Sequence, residues 1–308
     1  MTRIGLVVNP TAGKGRGTQA GHEAHQRLRA AGFDVEDLSA PTLAQATDRA
    51  RAATLAGLDA LVVVGGDGMV HLGANVVAGT TMPLGIVPAG TGNDFARGLG
   101  LPRTDVAAAL AVLEHAIAHG PRAVDAVRVA PPGVEAYEWY VGVLSGGIDA
   151  AVNARANGLR WPRGEARYVR ALLAELTSFR PYGYRVTLDD DVWESAGTLV
   201  AVANAPWFGG GLHVAPDALL DDGLLDVVLA GPFTKPGVVR IFPGIYRGRH
   251  VHDPRVQIRR SRTVLIEPVP TIGATPPPAF ADGERIGPLP LRAELVAGAL
   301  QVLAPPRP

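Results

Sequence analysis

The run Leu61-Val62-Val63-Val64 holds no polar residue and leads straight into Gly65-Gly66-Asp67-Gly68. A continuous apolar strand asks for cover on both faces, the condition of a parallel sheet between layers of helix. The neighbouring segments agree. Strand signals at Ile4–Asn9, Asp34–Leu38, Ala60–Val64 and Leu84–Val87 alternate with helical ones at Thr18–Ala31, Leu43–Ala56, Met69–Ala78 and Val106–His119. Such alternation predicts a parallel sheet with helices on both faces. Ligands of these sheets bind beyond the carboxyl ends of the strands. Gly65–Gly68 falls there, as does a second loop, Pro88-Ala89-Gly90-Thr91-Gly92-Asn93-Asp94-Phe95. Glycine permits positive φ and close backbone approach, so these turns can aim amide N–H groups at a phosphate. Asp67 can meet a magnesium ion or a hydroxyl proton at the same place. Two Asp-bearing glycine loops predict a nucleotide phosphate site and a kinase.

From Val124 the texture changes. Short apolar runs recur at Val124–Val129, Trp139–Ser145, Tyr184–Leu188, Thr198–Ala203, Leu224–Leu229, Arg255–Ile258 and Thr263–Pro268, separated by Gly, Pro and Asp. That spacing predicts a β-rich antiparallel sandwich or barrel, with one helical excursion at Ala166–Ser178. The 308 residues thus divide into an ATP-binding α/β domain, 1–124, and a β-rich substrate domain, 125–308. The last roughly 20 residues could pack back on the first domain. The Pro-rich patches Thr275–Pro278 and Pro305–Pro308 read as a loop and a tail.

Charge narrows the partners. With 29 acidic and 29 basic residues, nothing points to nucleic acid. Only Lys14 and Lys235 are lysines, so a phosphate-binding lysine has two candidates. No cysteine is present, which removes disulfides, thiolate nucleophiles and Cys-ligated zinc. The N-terminus reads as a buried strand rather than a secretory leader, and apolar runs fall short of the roughly 20 residues of a membrane span. The expectation is a cytoplasmic protein whose membrane contact is peripheral.

Each motif has a plainer alternative. Asn9-Pro10-Thr11-Ala12-Gly13-Lys14-Gly15 invites a Walker A reading but has Val8 where that motif needs glycine and Gly15 where it needs Ser or Thr. A strand-to-helix loop of this composition still suits a polyphosphate; the alternative is a plain turn. Asp94 could equally cap the helix begun by Phe95-Ala96-Arg97. Asp221, Asp222 and Asp226 crowd a turn that suits a hard cation or a hairpin. Phe280-Ala281-Asp282-Gly283-Glu284 reads as an acidic hairpin. The histidine pairs 22/25 and 115/119 form no metal pattern and sit on solvent-facing helices. Arg155, Arg160, Arg163, Arg167 and Arg170, with Trp161 and Tyr168, could form a basic interfacial face or a solvated helix; Arg247, Arg249, Arg255, Arg259, Arg260 and Arg262 pose the same choice.

In order along the chain, Asn9–Gly13, Gly65-Gly66-Asp67-Gly68, Gly90-Thr91-Gly92-Asn93-Asp94-Phe95-Ala96, Val124-Asp125, Gly209-Gly210-Gly211, Pro216–Asp226 and Asp282-Gly283-Glu284 resemble the diacylglycerol kinase catalytic domain family, which includes bacterial lipid kinases and sphingosine and ceramide kinases. One such motif is weak; seven in sequence are specific. The resemblance implies an N-terminal ATP domain, a larger β-rich domain and a site between them. It implies transfer of the ATP γ-phosphoryl to a lipid hydroxyl, with diacylglycerol giving phosphatidic acid. Asn9, Pro10, Thr11, Ala12, Gly13, Gly65, Gly66, Asp67, Gly68, Thr91 and Asn93 would hold the nucleotide. A magnesium network would fall on Asp67, Asp94 and Asp125, and a second, structural Mg2+ on Asp222 with the carbonyls of Leu219 and Leu224. Glu284 would be the catalytic base, with Asp67 its rival. Arg16 or Arg97 could help hold phosphate. The lipid would be met at the membrane surface, and a homodimer stays open.

The chain departs from the bacterial pattern after Gly68. Where Thr, Asn and Glu are usual, it has Met69, His71 and Leu72, the histidine being similar to sphingoid-type members. A sphingoid, ceramide or other lipid alcohol is the alternative acceptor. A soluble NAD-kinase-like enzyme and a non-catalytic nucleotide-binding regulator stand behind it.

Overall fold

The structure is a computed structural model and describes residues 2–159 and 165–307. Four parallel strands run in the order Asp34–Asp37, Arg3–Val8, Ala60–Gly65, Leu84–Pro88. Alternate side chains serve opposite faces. Ile4, Leu6, Val62, Val64 and Val87 pack on Ala20, Ala24 and Leu28 of helix Ala12–Ala30 and on Leu110 and Leu113 of helix Val106–His119. Val7, Leu61, Val63 and Ile86 pack on the other side, against Ala46 and Ala50 of helix Leu43–Leu55 and Val70 of helix Asp67–Val77. The first helix starts before the expected Thr18 because Gly13, Lys14 and Gly15 form a left-handed turn, φ 55°, 64° and 97°, inside its first residues.

The remainder is an antiparallel sandwich. One sheet orders Val256–Ser261, Leu225–Ala230, Leu199–Ala203, Val143–Gly147, Ala279–Ala281 and Glu284–Gly287. The other holds Thr263–Pro268, Tyr182–Thr187, Val192–Gly197, Arg122–Ala130 and Glu138–Tyr140 around the long strand Leu291–Leu303. Tyr140, Leu144, Tyr184, Val202, Val227 and Ile266 fill the space between them. The expected single strand Trp139–Ser145 is in fact two strands in different sheets, because at the crossing the amides of Val141 and Gly142 donate to Asp282, at 3.0 and 2.8 Å, rather than to a strand. The Asp221–Gly223 turn is no hairpin: the strand after it pairs with Leu199–Ala203 and Val256–Ser261.

Three helices rather than one cover the outer face: Ile148–Gly158, Glu165–Ser178 and Lys235–Ile245. The last carries Pro236, Gly237, Pro243 and Gly244, residues that read as loop in sequence. Among the described residues no helix is long and apolar enough to cross a membrane. Arg160, Trp161 and Arg163 of the expected basic face lie outside the described residues. Of the rest, Arg155 is paired with Glu175, Arg255 with Asp253 and Arg259 with Asp191.

Strand Leu291–Leu303 joins the two halves. It pairs antiparallel with Arg122–Ala130 along its length and with Thr263–Ile266 at its start, then parallel with Leu84 and Gly85 through Val302 and Leu303. Leu300 on this strand is 0% exposed. Leu300→Ala is expected to cost about 2–5 kcal/mol, read as a lower urea midpoint; an unchanged midpoint would show that this strand does not tie the halves together.

Candidate active site

Three loops meet over the carboxyl ends of the parallel strands, with backbone lying against backbone. A Cβ on Gly13 would stand 2.1 Å from the Ala89 carbonyl oxygen, and one on Gly90 2.5 Å from Gly66 Cα. Only glycine allows that approach. Asn9 Oδ1 accepts from the Thr11 amide at 3.0 Å and the Thr11 hydroxyl at 2.8 Å, fixing the first loop. Arg16 donates to the carbonyls of Gly13 and Gly90, at 3.1 and 3.2 Å, and so laces the first loop to the third. Asn93 has φ 55°, and its side chain accepts from Gly90 N and donates to the carbonyls of Gly90 and Arg103. It braces the loop from inside, while Thr91 is exposed at the tip.

Asp67 opens its helix and crosses to the next loop. Its Oδ1 accepts from the amides of Asp94, 2.8 Å, and Phe95, 3.2 Å. The cap expected from Asp94 on its own helix therefore comes from Asp67. Asp94 turns the other way: Oδ2 accepts from Gly210 N at 2.7 Å, and Oδ1 is buried without a partner. The two carboxylates converge at Gly92, where a Cβ would lie 3.0 Å from Asp67 Oδ2 and 3.6 Å from Asp94 Oδ2. Burial raises the pKa of both, Asp67 to about 6 with the charges of Asp94 and Asp282 adding to it. Gly209, Gly210 and Gly211 all have left-handed φ. A Cβ on Gly211 would meet the Arg97 guanidinium at 3.2 Å, which itself lies over the Trp207 ring, 5.5 Å from its centroid.

The facing wall is the turn Asp282-Gly283, φ 51° and 89°, between strands Ala279–Ala281 and Glu284–Gly287. Two left-handed residues in a two-residue loop suit a tight hairpin. The turn brings Glu284 to the glycine loop, distant in sequence: a Cβ on Gly68, next to Asp67, would lie 3.0 Å from Glu284 Oε1. Among the described residues nothing donates a hydrogen bond to the Glu284 carboxylate. Met69, at the position of the usual threonine, is buried beneath Gly65 and packs rather than presenting a hydroxyl.

Asp125 belongs to another cluster. Its carboxylate accepts from Gly223 N and Gly298 N, both at 2.8 Å, so both oxygens hold backbone. The acidic turn beside it is matched with arginine. Asp222 accepts from Leu224 N at 3.1 Å and from Arg260 at 2.9 Å; Arg260 also reaches Asp226, and Asp221 meets Arg122 and Arg307. Asp222, with Leu219 and Leu224, does not fit a magnesium ion as arranged, because a guanidinium already supplies the positive charge. Among the described residues no three acidic or imidazole groups stand in metal-holding geometry. Asp67 and Asp94 do fit magnesium. They are two converging carboxylates with one buried oxygen unpartnered, and this metal is commonly held by one or two carboxylates plus substrate phosphates.

Sequence reasoning gave no role to two groups at this site and one beyond it. His71 is four residues from Asp67 and therefore on the same face of the helix; that spacing was the available signal. Asp282 was read as part of a hairpin and of a family motif, with no role of its own. Asp149, at the start of helix Ile148–Gly158, had no signal beyond its helix N-terminal position; it is half-buried, its Oδ1 is enclosed without a partner and its Oδ2 accepts from Ser145.

Two family models match successive parts of the chain. Residues 3–129 match the diacylglycerol kinase catalytic domain, and residues 142–304 match the YegS C-terminal NAD kinase beta sandwich-like domain. The chain is 39% identical over 305 residues to a diacylglycerol kinase of Mycobacterium tuberculosis, covering 98% of this chain and 95% of that one. The protein belongs to the diacylglycerol kinase family. It is 25% identical over 269 residues to the diacylglycerol kinase of Bacillus subtilis, covering 86% of each chain. A crystal structure of a putative diacylglycerol kinase from Bacillus anthracis str. Sterne shares the fold, with TM-score 0.75, 23% identity and 99% and 97% coverage of the two chains. As a member of this family the protein is a lipid kinase, a transferase.

Burial pushes the Asp149 carboxyl up to about 6, against the Ser145 hydroxyl and nearby amides that favour its anion. The neutral form is thus favoured in the folded chain, so its contribution to stability is present below about pH 4 and is lost as pH rises through 6. Asp149→Asn should stabilise the protein at pH 7.5 by about 2–3 kcal/mol relative to its effect at pH 4. Urea titrations at the two pH values measure the difference; equal effects at both would show that the carboxyl titrates normally.

Proposed function

We propose that this lipid kinase transfers the γ-phosphoryl group of ATP to the hydroxyl of diacylglycerol, giving phosphatidic acid, in a magnesium-dependent reaction at the membrane surface. The observation that carries this reading is the approach of Glu284 to Gly68, the residue that follows Asp67, where a Cβ would stand 3.0 Å from Glu284 Oε1. Phosphoryl transfer depends on positioning and charge neutralisation more than on covalent chemistry. The loops at Asn9–Gly13, Gly65–Gly68 and Thr91–Asn93 supply close-packed backbone at the strand ends, suited to a polyphosphate. Asp67 and Asp94 would hold Mg2+, which when bound neutralises charge on the phosphates.

Glu284 is the better base of the two candidates. Asp67 Oδ1 is committed to the amides of Asp94 and Phe95, whereas among the described residues nothing donates a hydrogen bond to the Glu284 carboxylate. A lipid hydroxyl placed between them gives its proton to Glu284 as its oxygen bonds to the γ-phosphorus and ADP leaves. Arg97, held on Trp207 beside Gly211, can offer positive charge to a phosphate. Arg16, engaged by two carbonyls, supports the loops.

The names of the Mycobacterium tuberculosis and Bacillus subtilis relatives favour diacylglycerol as acceptor. Labelled ATP, Mg2+ and mixed micelles of diacylglycerol, ceramide, sphingosine or monoacylglycerol test this directly. Label in phosphatidic acid is expected, and label confined to a sphingoid product would replace the acceptor. Glu284→Gln should lower kcat about 10²–10⁴-fold with ATP binding retained by fluorescence titration. Asp67→Ala should abolish turnover in a folded protein; full residual activity in either variant overturns its role.

A further inference from the structure

We propose that His71 is a positioning residue for phosphoryl transfer, a buried clasp that straps the helix carrying Asp67 to the turn carrying Glu284. The inference rests on the roles given above to those two carboxylates. Its basis is geometric. His71 is 4% exposed and stands one helical turn after Asp67. Its Nδ1 faces Asp282 Oδ2 at 3.4 Å and its Nε2 faces Glu138 Oε1 at 3.0 Å.

Carboxylates accept hydrogen bonds and cannot donate them when ionised. An imidazole with a carboxylate on each nitrogen satisfies both only by carrying both protons, that is, as a cation. Burial opposes that charge, and the hydrogen bonds and charges of Asp282 and Glu138 outweigh it, raising the pKa to about 10. The side chain therefore stays charged across the working range. It is not a switch.

The clasp acts on a turn already under constraint. Asp282 has φ 51°, which a non-glycine residue holds only when its surroundings enforce it. Three groups hold its carboxylate: the amides of Val141 and Gly142, at 3.0 and 2.8 Å, and His71. The two amides belong to the sandwich. Of the three, His71 alone reaches across from the nucleotide-side helix, so it sets the distance between the two carboxylates. Glu138 lies at the start of strand Glu138–Tyr140 and fixes the far side of the ring. On the same helix, Asn75 exchanges hydrogen bonds with Trp139 on that strand, at 2.8 Å each way, and holds the contact in register. The imidazolium also offsets the negative charge that Asp282 adds near Asp67.

A misplacement of about 1 Å at a reacting pair can cost 10²-fold in rate. Loss of the clasp should thus appear in kcat and leave nucleotide capture, built on other loops, unchanged. His71→Gln keeps one donor and removes the charge; Glu138→Gln keeps His71 and removes one of its partners. The expected results are a fall in kcat of about 10–100-fold for His71→Gln and a smaller fall for Glu138→Gln. KM for ATP should stay within about threefold, and amide exchange at residues 281–284 should quicken in both. In the wild type, nitrogen-15 spectra at pH 8 should show His71 protonated on both nitrogens. A neutral His71 in those spectra, or an unchanged kcat in folded His71→Gln, overturns the proposal. A wild type that phosphorylates no lipid overturns the functional reading instead, and the spectra and exchange rates still decide whether the clasp exists.

Discussion

The pairing of strand Leu291–Leu303 along both edges is the constraint on which the arrangement rests. Backbone hydrogen bonds are directional, and a strand thirteen residues long with partners in both halves leaves them little freedom to shear. Its end lies beside Leu84–Pro88, the strand that feeds the third glycine loop, while its start follows closely on the Asp282–Glu284 turn. The bulge between Val296 and Leu300 lets one strand serve a parallel neighbour and an antiparallel one. Asp125 accepts from Gly298 N inside that bulge, so a carboxylate fixes the bend.

Charge at the centre is arranged against its own preference. Burial raises both Asp67 and Asp94, and the charges of Asp94 and Asp282 raise Asp67 further. Fixed donors hold them there: the amides of Asp94, Phe95, Gly210, Val141 and Gly142. Strain of this kind is found at sites built for a ligand. A divalent cation and a nucleotide would relieve one another's charge in the same space, and the protein contributes the geometry in which both are needed.

The α/β half was legible because its strands are apolar on both faces and its helices end at glycine, so period and punctuation agreed. Gly65–Gly68 was legible for the opposite reason: a carboxylate set among glycines has no structural account of its own. Other features were hidden by physics that the local sequence does not carry. The break at Val141-Gly142 is caused by Asp282, about 140 residues away in the chain. Helix Lys235–Ile245 forms in spite of two prolines because Val238 and Ile241 pack with Phe233 and Leu176. The acidic turn at Asp221–Asp226 looked like a cation site because its arginine partners, Arg122, Arg260 and Arg307, come from three distant segments. His71 was noticed as an oddity of the motif, but its meaning depends on Asp282 and Glu138, which only the fold brings to it.

The loop through Asp222 is fastened in two unlike ways. At its rim, the side chains of Arg260 and Arg307 are 44% and 53% exposed, where mobile ions compete and weaken such attractions. At its root, Gly223 donates to buried Asp125, out of reach of that competition. Brine should slacken the rim while the root stays seated, so this margin of the molecule can breathe with its ionic surroundings without disturbing the bent strand behind it.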